Sequence, residues 1–136
     1  DLCHMVLSLK PFGCMPSTQS DGVQSAVTSM FKDMIFIPIE TSGEGDVNAH
    51  SRVQMALGEA KAKAKLEFKK CLEETGYSME EIKAYVEAND YLQRPFYEVG
   101  HQKGVIGVAA NFVLDVAGKM KKDGIKPVLR SETAKA

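Results

Sequence analysis

The residues with the most chemical promise lie in Lys10-Pro11-Phe12-Gly13-Cys14-Met15-Pro16-Ser17, followed by Ser20-Asp21-Gly22. Cys14 sits in a Gly/Pro-rich turn, just past an apolar β-compatible segment and just before a helical one. Such a position exposes the sulfur, and a helix N-terminus lowers a thiol's pKa toward the thiolate that binds metal or attacks disulfides. The plainer role, a small buried hydrophobe, is the ordinary one for an intracellular cysteine, and spacing alone favours it slightly.

Two further segments are rich in polar groups and glycine. Glu40 to Arg52 includes Ser42-Gly43-Glu44-Gly45-Asp46-Val47-Asn48, whose amides could cradle a phosphate, although Glu40, Glu44 and Asp46 would repel one. Gly104-Val105-Ile106-Gly107, ahead of Ala109-Ala110-Asn111, is another amide-rich helix start. Tight turning accounts for either glycine pattern more simply than ligand binding does. Arg52 is expected to pair with an acidic loop residue. A zinc site from Cys3, His4 and Cys14 fits no CxxC pair and lacks a fourth ligand. Cys3 is expected to face a neighbouring element, Cys71 to pack inside a helix, and His50 and His101 to be surface or hydrogen-bonded loop residues.

The elements that must position these groups can be read from periodicity. His4 to Leu9 is short and apolar, and Lys10-Pro11-Phe12-Gly13 ends it. From Ser20-Asp21 onward, Val23, Ala26, Val27 and Met30 recur at helical spacing, with Ser20 or Asp21 as a cap. Met34-Ile35-Phe36-Ile37-Pro38-Ile39 reads as a strand buried on both faces. Strand, helix and strand in such close succession predict a right-handed βαβ unit with a parallel pair. The first two chemical loops then leave the carboxyl ends of parallel strands, where open α/β sheets hold their ligands.

Beyond them the spacing predicts a long helix from Ala49 to Glu74, stopped at Gly76. Ser78-Met79-Glu80-Glu81 reads as a capping box opening a helix to Ala88. Pro95 keeps Asn89 to Gly104 irregular. A helix over Gly107 to Lys122, with Val108, Phe112, Val116 and Met120 on its apolar side, is followed by a last strand from Ile125 to Leu129. The fold class is therefore α/β: a partial parallel sheet with long C-terminal helices, forming a single lobe over 1–130 with a frayed tail over 131–136. Two long strands do not complete a sheet, and the chain enters Met5-Val6-Leu7 almost at once after Asp1. Both features lead us to expect a fragment of a larger protein.

Composition bounds the function classes. With 17 basic and 18 acidic residues the net charge is −1, which excludes the basic footprint of a nucleic-acid binder. No apolar run approaches the roughly 20 residues that span a bilayer, and the opening residues, with no basic segment before an apolar core, are not expected to be a secretory signal. The 3 cysteines, an odd number set far apart, fit reduced thiols in a cytoplasmic protein.

Three stretches together go further: Lys10 to Ser17 with Ser20-Asp21-Gly22, then Ile39-Glu40-Thr41-Ser42-Gly43-Glu44-Gly45 running to Asn48-Ala49-His50-Ser51-Arg52, and Ala109-Ala110-Asn111-Phe112-Val113. This combination resembles the C-terminal region of acyl-CoA dehydratase activase-related proteins of anaerobic bacteria, relatives of the 2-hydroxyglutaryl-CoA dehydratase system. The resemblance runs from about Met5 to Met120, and its first two stretches are the most specific. It implies flavodoxin-like α/β lobes and a part in ATP-driven, low-potential electron transfer into an iron–sulfur protein, with a 4Fe-4S type cluster held by cysteines. Cys14 falls where the last of those cysteines is expected, and thiolate ligation is what such clusters require. Ser17, Asp21, Glu40, Ser42, Arg52 and Asn111 would surround and tune that site.

Neither Cys3 nor Cys71 matches the family's cysteine pattern, and the family's ATP-binding region is not in this sequence. The expectation is one ligand from this chain, with the cluster completed by an upstream region or a second subunit. The alternative is a cofactor-free interaction domain that docks its long charged helix, Ala49 to Glu74, on another lobe or subunit. An open sheet edge also admits pairing between copies. A free-standing nucleotide-binding enzyme would need phosphate affinity at Gly43-Gly45 or Gly104-Gly107.

Overall fold

A computed structural model of the chain describes residues 3–11, 15–31, 34–40 and 46–128. Its elements run β1 (Met5–Lys10), α1 (Met15–Met30), β2 (Ile35–Glu40), α2 (Asp46–Thr75), α3 (Met79–Ala88), a 3-10 turn (Asp90–Gln93) and α4 (Val108–Lys122). The architecture is mixed α/β, as the sequence pattern predicts. β1 and β2 pair in parallel, in a register running from Met5 with Ile35 to Lys10 with Glu40. Where one lobe over 1–130 is expected from sequence, the chain divides into two compact units, Asp1–Ala64 and Lys65–Ala136, and the sheet belongs to the first.

In the first unit β2 owes its extended form to Ile35, Phe36, Ile37 and Ile39, which suit a pleated surface. Only Ile35 and Ile39 are buried, each 7 % exposed, while Phe36, Ile37 and Pro38 are half-buried. The expected burial on both faces is not reached, because the described sheet has two strands and little to cover it. Pro38 stands opposite Ser8 and brings no amide to the ladder, which a strand with a single neighbour tolerates. Helix α1 begins at Met15, five residues ahead of the expected Ser20 cap. Pro16 allows this, since a first-turn proline gives up an amide that has no helical partner.

The second unit holds a core of Tyr77, Ile82, Tyr85, Leu92, Val113, Val116, Ala117 and Met120, with Phe68, Leu72 and Phe112 packed around it. Helix α4 meets that core through Val113, Val116, Ala117 and Met120, whereas Val108 is 75 % exposed. Of the expected apolar side, Phe112, Val116 and Met120 reach the core, joined there by Val113 and Ala117, and Val108 alone does not. Helix α2 stops where Gly76 adopts φ +79°, a conformation that glycine takes without a Cβ clash. The capping box forms as read: Glu81 N donates to Ser78 Oγ at 3.1 Å, and Ser78 N donates to Glu81 Oε2 at 2.6 Å.

The expected last strand is not one across its described residues, Ile125 to Val128. Ile125 O accepts from Tyr77 Oη at 2.6 Å, and Val128 N donates to Glu81 Oε1 at 3.0 Å. Side chains of the helical core thus satisfy this segment where a neighbouring strand would have done so. The tail over 131–136 lies outside the described residues.

Candidate functional site: the carboxyl edge of the parallel strands

The parallel register sets the ends of β1 and β2 side by side, so Lys10 and Glu40 are direct neighbours. Lys10 Nζ lies 3.3 Å from Glu40 Oε1 and forms a second, closer ion pair with Asp21 of α1. The Asp21 carboxylate, aided by Glu40, outweighs desolvation and holds the Lys10 ammonium above its ordinary pKa. Lys10 is consequently a fixed cation at neutral pH, suited to binding charge and unsuited to nucleophilic or base chemistry.

Next to this cluster lies a cavity of about 280 Å³ lined by Lys10, Pro38, Ile39, Glu40, Asn48, Ala49 and Arg52. The two strand ends supply one wall, and the first two turns of α2 supply the other. Arg52 is exposed on the rim and makes no ion pair among the described residues; Glu44 and the Asp46 side chain, acidic groups of the neighbouring loop, lie outside them. Its guanidinium offers donors in a planar fork to an anionic group, with Asn48 as a neutral partner. Among the described residues the charges here are Lys10 and Arg52 against Asp21 and Glu40. The arrangement can bind and orient a polar ligand.

Of the residues proposed from sequence, Glu40 and Arg52 share this cavity, and Asp21 reaches it through Lys10. Ser17 stands one helical turn before Asp21 and is half-buried. Cys14 and Ser42 lie outside the described residues. Asn111 belongs to the second unit, where it is buried and holds a loop. Its Oδ1 accepts from Gln102 N at 2.8 Å, and its Nδ2 donates to Val105 O and Gly107 O. Lys10 and Asn48 were missed as site residues, although the end-of-strand rule that selected Glu40 applies equally to Lys10.

The second glycine-rich candidate is filled from within. Glu67 of α2 accepts from Ile106 N and Gly107 N, both at 2.8 Å, at the start of α4. A carboxylate of the chain itself takes the anion's place at that helix N-terminus. This removes the Gly104-Gly107 turn as the phosphate cradle of a nucleotide-binding enzyme.

The cysteines can be tested against an iron–sulfur cluster, which requires several thiolates around one site. Cys71 is buried in α2, and burial, then Glu74 and Glu67, push its thiol up, away from the thiolate form. It packs, as expected. Cys3 is exposed and so does not face a neighbouring element as expected. It precedes the amino end of β1, about 17 Å of strand away from Lys10. Among the described residues no three His, Cys, Asp or Glu side chains gather into a metal-holding set. The described residues do not fit a cluster by themselves, and Cys14 is the one cysteine of this chain left for such a role.

No helix among the described residues is long and apolar enough to cross a membrane. No protein-family model, curated protein or solved structure matches the chain. Fold and cavity define a parallel α/β lobe with a polar pocket at the carboxyl edge of its strands.

Proposed function

We propose that this chain is the C-terminal lobe of a cytoplasmic iron–sulfur protein in ATP-driven, low-potential electron transfer linked to 2-hydroxyacyl-CoA dehydratase activation. In that role it supplies Cys14 as a ligand to a cluster completed elsewhere. One observation carries the reading. Lys10, from the first of the two most specific stretches of resemblance, shares one cavity at the carboxyl edge with Glu40, Asn48 and Arg52 from the second. Stretches that are distant in sequence and meet at the ligand-binding end of a parallel sheet support a common site. The chain's own groups would bind and orient there: Arg52 toward an anionic group, Lys10 as a fixed positive charge against Asp21 and Glu40.

The test is iron and acid-labile sulfide, with an absorption spectrum, on the intact parent protein purified without oxygen, beside its Cys14→Ser variant. A brown wild type and an iron-depleted variant are expected. Equal iron in both would remove Cys14 from the site, and no iron in either would remove the cluster.

A second reading is a cofactor-free domain that docks on another lobe or subunit. It is favoured by the apolar surface left open in the first unit, where Leu9 is 68 % and Met30 78 % exposed. The charges of α2 give it less support than the sequence suggested. Glu59 with Lys63, Lys69 with Glu73 and Lys70 with Glu74 pair along the helix itself, as a solvated face does.

A further inference from the structure

Helix α1 is inside out. At about 100° per residue, Met15, Gln19, Gly22, Val23, Ala26 and Met30 fall within an arc of about 100° on one side, and all six are exposed. Ser17, Asp21, Gln24 and Thr28 fall on the opposite side and are half-buried, with Val27 the one apolar side chain half-buried beside them. A helix on the surface of a folded protein ordinarily shows the reverse, with its apolar stripe toward the core. The inner side bears a cost for this: among the described residues, Asp21 Oδ1 and Gln24 Oε1 are buried without a hydrogen-bond partner. The ion pair from Lys10 to Asp21 fixes the rotation, so the Met15-Val23-Met30 side is held outward.

We propose that this outward side of α1 is the interface of a homodimer, packed against the same helix of a second copy in antiparallel sense. Charge is the first argument. The one ionisable side chain of α1 is Asp21, on the opposite side, so two copies of the outward side bring no like charges together. Symmetry is the second. The six positions mirror one another about the point between Gly22 and Val23: Met15 answers Met30, Gln19 answers Ala26, and Gly22 answers Val23. A two-fold axis there sets Met15 of one copy against Met30 of the other. Small residues then stand near the centre, where the two backbones come closest.

The helix ends are the third argument. Antiparallel packing lays the positive N-terminus of each α1 beside the negative C-terminus of the other. Methionine suits the outer contacts, since its flexible thioether fills irregular gaps. One helix face per copy lies at the small end of the interface scale, so dissociation in the micromolar range is expected.

Sedimentation equilibrium of the full chain over micromolar concentrations tests the proposal. A monomer–dimer equilibrium is expected, and Val23→Glu or Val23→Lys alone should weaken it at least about tenfold by placing like charges at the axis. An equimolar mixture of the two variants should regain the wild-type association. That recovery separates loss of the interface from loss of the fold, because two misfolded chains would not restore each other. A wild type that stays monomeric overturns the proposal and leaves the face to a different protein. Variants that dimerise like the wild type, or a mixture that fails to recover, overturn it as well. Iron content does not enter, so this result and that of the Cys14 experiment are independent.

Discussion

Glu67 and Gly107, 40 positions apart, are joined by a hydrogen bond of 2.8 Å from the Gly107 amide to a carboxylate oxygen, and the other oxygen takes the Ile106 amide. The start of α4 is therefore capped by a side chain from α2, since Gly107, as its N-cap residue, has no side chain to do so. Glu67→Gln keeps one acceptor and turns an NH₂ toward an amide. It is expected to destabilise the protein by about 1–3 kcal/mol in urea unfolding. A midpoint unchanged from wild type would show that water replaces the second contact at no cost.

The Tyr97, Asp115 and Lys119 cluster gives the second unit a pH window. Burial pushes the Asp115 carboxyl up, but donors from Lys119, at 2.7 and 2.8 Å, and from Tyr97 outweigh it and hold it below its ordinary value. A lowered carboxyl stabilises the fold above its unfolded pKa of about 4 and loses that contribution as pH falls through the folded value. Lys119 is raised, chiefly by its bond to Asp115, and Tyr97 is raised, chiefly by burial. Their contributions are present below about pH 10 and are lost above it. Asp115→Asn should lower stability at pH 7 by about 1–2 kcal/mol, and its thermal midpoint should fall less steeply than that of wild type below about pH 4. Parallel acid profiles for the two proteins would contradict this.

Lys10 and Arg52 are predicted to part company. Lys10→Met removes the cation shared by Asp21 and Glu40 and leaves two carboxylates facing each other. The melting temperature should drop, and added salt, by screening that repulsion, should recover part of the loss. Arg52→Ala touches no ion pair among the described residues, so its effect on stability should stay within about 0.5 kcal/mol. If both variants melt alike, the division of labour at this edge is wrong.

Much of the frame was legible because short-range chemistry specified it. Ser78 and Glu81 satisfy each other's amides whatever packs on them, and Gly76 ends α2 through its own backbone freedom. The parallel pair followed from two apolar runs joined by a helix. The rest depended on partners that periodicity does not name. Val23 and Met30 recur at helical spacing, yet the same spacing serves a stripe facing the core or one facing away. Here the Lys10–Asp21 pair decided which. In α4 the spacing identified Phe112, Val116 and Met120, which do reach the core, but not Val113 and Ala117 beside them. Ile125 to Val128 looked like a strand because its residues suit one. At the carboxyl edge, the end of a strand marks Glu40 and Lys10 alike, but Lys10 also opens the Lys10-Pro11-Phe12-Gly13 turn, which hides its place on the strand.

Glu81 uses its two carboxylate oxygens on different parts of the second unit: Oε2 takes the amide of Ser78, and Oε1 takes that of Val128. Breaking the first turn of α3 therefore withdraws the acceptor of Val128 in the same event. In the time domain the two amides share one gate, and they exchange hydrogen with solvent through a common opening although they stand 50 positions apart in the chain.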